Sequence, residues 1–185
     1  MLPSLLPTLG LALCLSSLAA CQSPSQPPAA SPASPATAPA PAPKPPLVPQ
    51  PLGKSGYWLS LPATYRLKAT DGPDFLVYYF APADTTVQTS YTGGLYLGGH
   101  PQGFDSTDGC QRRRVLVSVL GHAAPFTVQR CATGYTLDAV FASGRSQSFD
   151  SQVNAFGSAK SAAELRQLLA IFATLERRPE TTTGK

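Results

Sequence analysis

The sequence predicts an α+β fold: an antiparallel sheet of about five to seven strands with a C-terminal helix packed on one face, after a disordered proline-rich tether. Three observations lead there. Short apolar or alternating runs recur between Tyr57 and Phe141, each closed by a Gly, Pro or Asp cluster. One apolar stripe at three- and four-residue spacing lies near the C-terminus. Twelve of the thirty residues from Gln22 to Pro51 are proline, which removes the amide donors that helix or sheet needs.

The elements follow in order. Tyr57 to Leu61 alternates and stops at Pro62, a first short strand. Tyr65 to Ala69 alternates again and closes at the turn signal Asp71-Gly72-Pro73. Phe75 to Phe80 is apolar at every position, the pattern of a central strand with both faces covered, and Pro82 ends it. Thr89 to Gly98 is a weaker strand with glycines among Tyr91, Leu95, Tyr96 and Leu97. Arg114 to Leu120 and Phe126 to Ala132 read as a hairpin around a loop of five residues, Gly121 to Pro125. Tyr135, Leu137, Ala139 and Phe141 share one face of a final strand, with Val140 the exception opposite.

Phe149, Val153 and Phe156 have the spacing of a short helix. The longer helix has a stripe of Leu165, Leu168, Leu169, Phe172 and Leu175, a Ser161–Glu164 capping box at its start, and Arg177-Arg178-Pro179 as charge and stop at its end. This element order, with its short aromatic strand, is similar to that of the sheet-and-helix domains of the Mog1/PsbP type; no residue role is carried over from the likeness.

Composition divides the chain. Lys44 is the only ionisable side chain before Lys54, so the material for a core lies in 52–178, the length of one domain. That span holds 12 Lys/Arg against 9 Asp/Glu, a net +3 without a concentrated basic face, which argues against nucleic acid as a partner. The segment 21–51 samples extended polyproline conformations by composition, with a reach of roughly 90 Å at about 3.1 Å per residue. Residues 179–185 form a frayed tail.

Residues 1–20 have the form of an export signal. Leu5 to Leu18 is apolar apart from Pro7, Thr8, Gly10, Ser16 and Ser17, too short and broken to span a bilayer. No Lys or Arg precedes it, a departure from the usual charged start. Leu18-Ala19-Ala20-Cys21 resembles the lipobox of bacterial lipoproteins. The resemblance implies a diacylglyceryl thioether on Cys21, cleavage after Ala20 and acylation of the new amino group, palmitate included. Several acyl chains at about 0.8 kcal/mol per buried CH₂ anchor a protein firmly. The implied location is the cell membrane or outer membrane, with the domain facing the periplasm or exterior. By analogy with the lipoproteins of enteric bacteria, Gln22 rather than Asp after the cysteine implies the outer membrane.

In that oxidising setting Cys110 and Cys131 are most simply one disulfide, because Cys14 leaves with the signal and Cys21 takes the lipid. His100, Asp105 and Asp108 have the chemistry of an acid–base pair or metal ligands. Yet they lack zinc-type spacing, and the glycines from Gly93 to Gly109 match no phosphate loop. No G-x-S-x-G turn supplies a nucleophile, and nothing calls for a resident metal or a cofactor. Alternation sends Arg112 and Arg114 to one face of their strand and Arg113 to the other, a solvated edge or a contact for anionic lipid, peptidoglycan or an acidic partner. The leading expectation is a non-catalytic envelope domain that binds another envelope component, a protein or peptidoglycan. A small hydrolase or metal-dependent enzyme using His100, Asp105 and Asp108 is the first alternative. A carrier of an apolar ligand, with an aromatic cavity near Tyr78, Tyr91 and Tyr96, is the second.

Overall fold

The structure is a computed structural model, and it describes residues 45–86, 91–101, 103, 109–145, 148 and 150–178. The chain runs β1 (Leu47–Pro51), β2 (Tyr57–Pro62), β3 (Tyr65–Asp71), β4 (Phe75–Pro82), β5 (Tyr91–Gly98), β6 (Gln111–Val119), β7 (His122–Cys131), β8 (Gly134–Ala142), β9 (Gln152–Ala159), α1 (Ala162–Phe172) and β10 (Glu176–Arg177). Seven strands form one antiparallel sheet in the order β3-β4-β5-β9-β8-β7-β6; three more form β1-β2-β10. The described residues are therefore mostly antiparallel sheet with a single C-terminal helix. No helix among the described residues is long and apolar enough to cross a membrane.

Two meanders build the large sheet, and β9 joins them by pairing with both β5 and β8. One face, here called inner, holds Tyr78, Phe80, Leu95, Leu97, Val153, Ala155, Leu137, Ala139, Phe126 and Val128, all buried. Helix α1 and β2 cover that face and contribute Leu165, Leu168, Ile171, Phe172, Tyr57, Leu59 and Leu61 to the same core. At about 25 cal/mol per Å² of apolar surface, these side chains supply the main drive to fold. The capping box is present: Ser161 Oγ accepts from the Glu164 amide, and Glu164 Oε2 accepts from the Ser161 amide at 2.9 Å.

Several elements differ from expectation, each for a physical reason. Among the described residues, strand pairing begins at Leu47, five residues ahead of the boundary that composition implies, because Pro49 and Pro51 sit on an edge strand where missing donors are tolerated. The β6–β7 loop has two residues, Leu120 and Gly121, both at positive φ, as a tight hairpin requires. Pro125 lies inside β7, in a stretch that pairs only with β6, since β8 joins β7 from Thr127 onward.

Val153 and Phe156 belong to strand β9, with Val153 on the inner face and Phe156 on the outer. Phe149 lies outside the described residues. The helix ends at Phe172, earlier than Arg177-Arg178 implies. Thr174 stops it, donating its hydroxyl to the Ile171 carbonyl at 2.7 Å and accepting from the Ser60 amide of β2. Leu175 is buried beyond the helix, Arg177 sits in β10, and Arg178 lies over the Trp58 ring at 4.2 Å.

Candidate functional site

Strand β4 reads as apolar throughout, yet only one of its faces is packed into the core. Phe75, Val77 and Tyr79 point to the outer face, and Tyr79 is 47% exposed. The aromatic side chains there are organised by glycine. A single row of paired residues crosses all seven strands: Lys68, Tyr79, Gly94, Phe156, Asp138, Thr127 and Arg114. Gly94 carries no side chain, so the rings of Tyr79 and Phe156 meet edge to face across it with centroids 5.7 Å apart. A Cβ at Gly94 would lie 2.5 Å from the Phe156 ring and 2.6 Å from the Tyr78 carbonyl oxygen. One pair along, Phe75 and Tyr96 stack at 5.8 Å. Gly93, Gly94 and Gly98 thus lie in a strand whose empty positions are filled by neighbouring rings, while residues 102 and 104–108 of the glycine-rich run lie outside the described residues.

These side chains line an open groove of about 550 Å³, bounded by Phe75, Val77, Tyr79, Tyr96 and Phe156 with Asn154 in its floor and Asp74 and His100 at its rim. Asn154 is only 3% exposed, which makes it a polar group set among aromatic faces. That combination, apolar walls with a few fixed polar groups, is the usual composition of a ligand site.

Of the tyrosines expected around a cavity, only Tyr96 lines this groove. Tyr78 and Tyr91 point into the core, where burial raises both phenols above their ordinary range. Tyr78 donates to the Leu52 carbonyl at 3.0 Å, and Tyr91 stacks on Tyr65 at 4.9 Å. Among the described residues Tyr78, Tyr91 and Tyr96 therefore do not share one cavity, because alternation places Tyr96 on the face opposite Tyr78 and Tyr91.

His100 is exposed at the end of β5, beside Asp74 at the groove rim. Asp105 and Asp108 lie outside the described residues, as does Cys21. Among the described residues no three His, Cys, Asp or Glu side chains gather as a metal site would need. Cys110 and Cys131 are joined in a disulfide with Cα atoms 4.6 Å apart, at the end of the β6–β7 hairpin.

Arg112 and Arg114 both project on the outer face, as alternation predicts. Burial pushes the Asp138 carboxyl upward, and the Arg112 charge opposes that rise. Arg113 turns to the inner face. There it lines, with Arg130 of β7 and Arg166 of α1, a separate concavity of about 390 Å³ at the sheet edge, which Arg112 also reaches. Arg130 and Arg166 were invisible as site residues in the sequence, where each is an isolated cation on its own element. Only the strand register and the position of the helix reveal the group. Comparison with protein-family models, curated proteins and solved structures finds no match.

Proposed function

We propose that the chain is an exported lipoprotein, held at a membrane by a lipid on Cys21, whose domain binds an envelope glycan of the peptidoglycan type without chemically altering it. The groove on the outer sheet face is the observation that supports this reading. Aromatic faces bear partial negative charge and attract the weakly positive C–H bonds on the flat side of a pyranose ring. Tyr79, Tyr96, Phe75 and Phe156 supply aromatic rings within the one groove, and Asn154, Asp74 and His100 offer partners for hydroxyl and amide edges. The lipobox and the apolar run before it support export and anchoring. Proline-rich composition between Cys21 and the start of β1 supports a tether whose reach, at about 3.1 Å per residue, is of order 80 Å. Such a span suits a domain held at a bilayer and reaching a cell-wall polymer.

Cosedimentation of the detergent-solubilised full chain with purified peptidoglycan sacculi tests the binding. The wild-type chain pellets with the sacculi, and Tyr79→Ala and Tyr96→Ala each weaken binding by about threefold to tenfold. A wild-type chain left in the supernatant, or variants that pellet equally well, would overturn the glycan reading. Mass spectrometry of the mature amino terminus tests the anchor separately: a diacylglyceryl thioether on Cys21 is expected, and an unmodified thiol there would refute it.

A further inference from the structure

We propose that the concavity formed by Arg113, Arg130 and Arg166 is a second binding site, specific for a phosphate-bearing ligand that presents a phosphomonoester or diphosphate group. It lies on the inner face of the β6 edge, whereas the aromatic groove is on the outer face, so it stands independently of the glycan reading. Four elements build it. Arg113 comes from β6, with Arg112 beside it at the strand edge, Arg130 and its strand neighbour Tyr135 pair on β7 and β8, and Ala162 and Arg166 sit one turn apart on α1. Gln111, paired with Arg130, closes one side.

Charge is the first argument. Among the described residues Arg113, Arg130 and Arg166 make no ion pair; the two salt bridges there are Arg145–Asp150 and Arg178–Glu176. The single carboxylate of α1, Glu164, is occupied in the capping box, accepting from the Lys160 and Ser161 amides at 3.0 and 2.9 Å. With Arg112 at the same rim, four guanidinium groups surround one concavity and repel each other, a repulsion that solvent weakens at these exposed side chains without removing it. A bound dianion would remove it.

Edge protection is the rival explanation, since charged side chains blunt an exposed edge strand. It accounts for the arginines of β6, but not for Arg130, which sits on an interior strand between β6 and β8, nor for Arg166 on the helix. Residue type is the second argument. All four cations lining it, Arg112 included, are arginine, whose planar fork of donors matches phosphate oxygens two at a time, which lysine cannot do. The volume, about 390 Å³, admits a headgroup or phosphosugar and is too small for a folded partner. Rigidity is the third. The Cys110–Cys131 disulfide flanks the Gln111–Arg130 pair directly and holds the two strands in register at the site.

Titration calorimetry of the full chain in neutral detergent, with inorganic pyrophosphate as the probe, tests the site. Saturable one-site binding is expected, weakened about tenfold by Arg130→Gln and by Arg166→Gln, and less by Arg166→Lys, which keeps charge but not the fork. Arg66→Gln, on the far edge strand β3, leaves it unchanged. All these side chains are exposed, so the variants keep the wild-type melting midpoint, measured alongside. A second arm replaces pyrophosphate by phosphatidic acid in the same micelles, with phosphatidylcholine as the control. Tighter binding to phosphatidic acid assigns a lipid headgroup, and tighter binding to pyrophosphate assigns a free phosphate compound; either supports the site. Absence of saturable binding to both probes, or equal weakening by Arg66→Gln, would overturn it.

Discussion

At the scale of single residues, one carboxylate shows how a buried charge is held. The Asp150 side chain is 2% exposed, and burial alone would raise its pKa. The Ser148 hydroxyl and Arg145 Nη1, the latter at 2.7 Å, donate to it, and with the Arg145 charge they outweigh desolvation, leaving the carboxyl below its ordinary value of 3.8. The same loop is tied to the sheet by the Ser143 amide, which donates to the Ser151 carbonyl at 2.9 Å. A lowered folded pKa gives stability that is present above 3.8 and disappears as pH falls through the lower folded value. Asp150→Asn removes the charge while keeping the shape. It is expected to cost about 1.5–3 kcal/mol at neutral pH, and to flatten the acid limb of the stability curve. Denaturant unfolding followed from neutral pH to about pH 2 reads both effects; an Asn variant with the wild-type acid slope would show that the charge does not act this way. Nothing in the sequence marked Asp150, because its partners depend on how the β8–β9 loop folds back.

At the scale of elements, local pattern and pairing contributed unequally. The strands from Tyr57 to Phe80, the existence of the β6–β7 hairpin though not its two-residue turn, the face shared by Tyr135, Leu137, Ala139 and Phe141, and the capping box at Ser161 were legible, since each rests on side-chain period or capping chemistry within a few residues. What pairing alone decides was not. Phe156 has helical spacing to Val153, but both neighbours β5 and β8 accept β9 as a strand, and its glycine at position 157 fits a site with no room for a Cβ. The arginine concavity stayed hidden for the same reason. Its one local support is the disulfide, which closes the hairpin carrying Arg113 and Arg130. Replacing both cysteines by serine is expected to cost about 3 kcal/mol through restored unfolded-chain entropy. Amide exchange should rise first at Gln111 to Arg113, next to the released end. A double variant with unchanged stability and exchange would mean that the ladder alone fixes the register.

At the scale of the molecule, one core serves both sheets and the helix, which determines how the structure comes apart. Leu168 is fully buried on α1, beneath the large sheet: a Cβ at Gly157 of β9 would come within 2.8 Å of its methyl group. Phe172 on the same helix face touches Phe80 of β4 and Phe126 of β7, with ring centroids 5.8 and 5.6 Å away. The helix therefore bridges both meanders of the large sheet, and through Thr174 it also fixes β2 of the small one. No part of this arrangement has an apolar interior of its own to fall back on. Leu168→Ala leaves a cavity at the centre of that bridge, with an expected loss of about 2–5 kcal/mol. Because the core is shared, the loss should appear as a lowered midpoint with a single transition, the same by tryptophan fluorescence at Trp58 of β2 as by far-ultraviolet circular dichroism of the whole chain. Two separated transitions would show instead that the three-stranded sheet melts independently. Both proposed binding surfaces rest on strands of the large sheet, the arginine concavity also on α1, so a variant that lowers the midpoint without broadening it leaves each surface intact up to the melt. Coincident loss of glycan and phosphate binding at that one midpoint is the expected consequence.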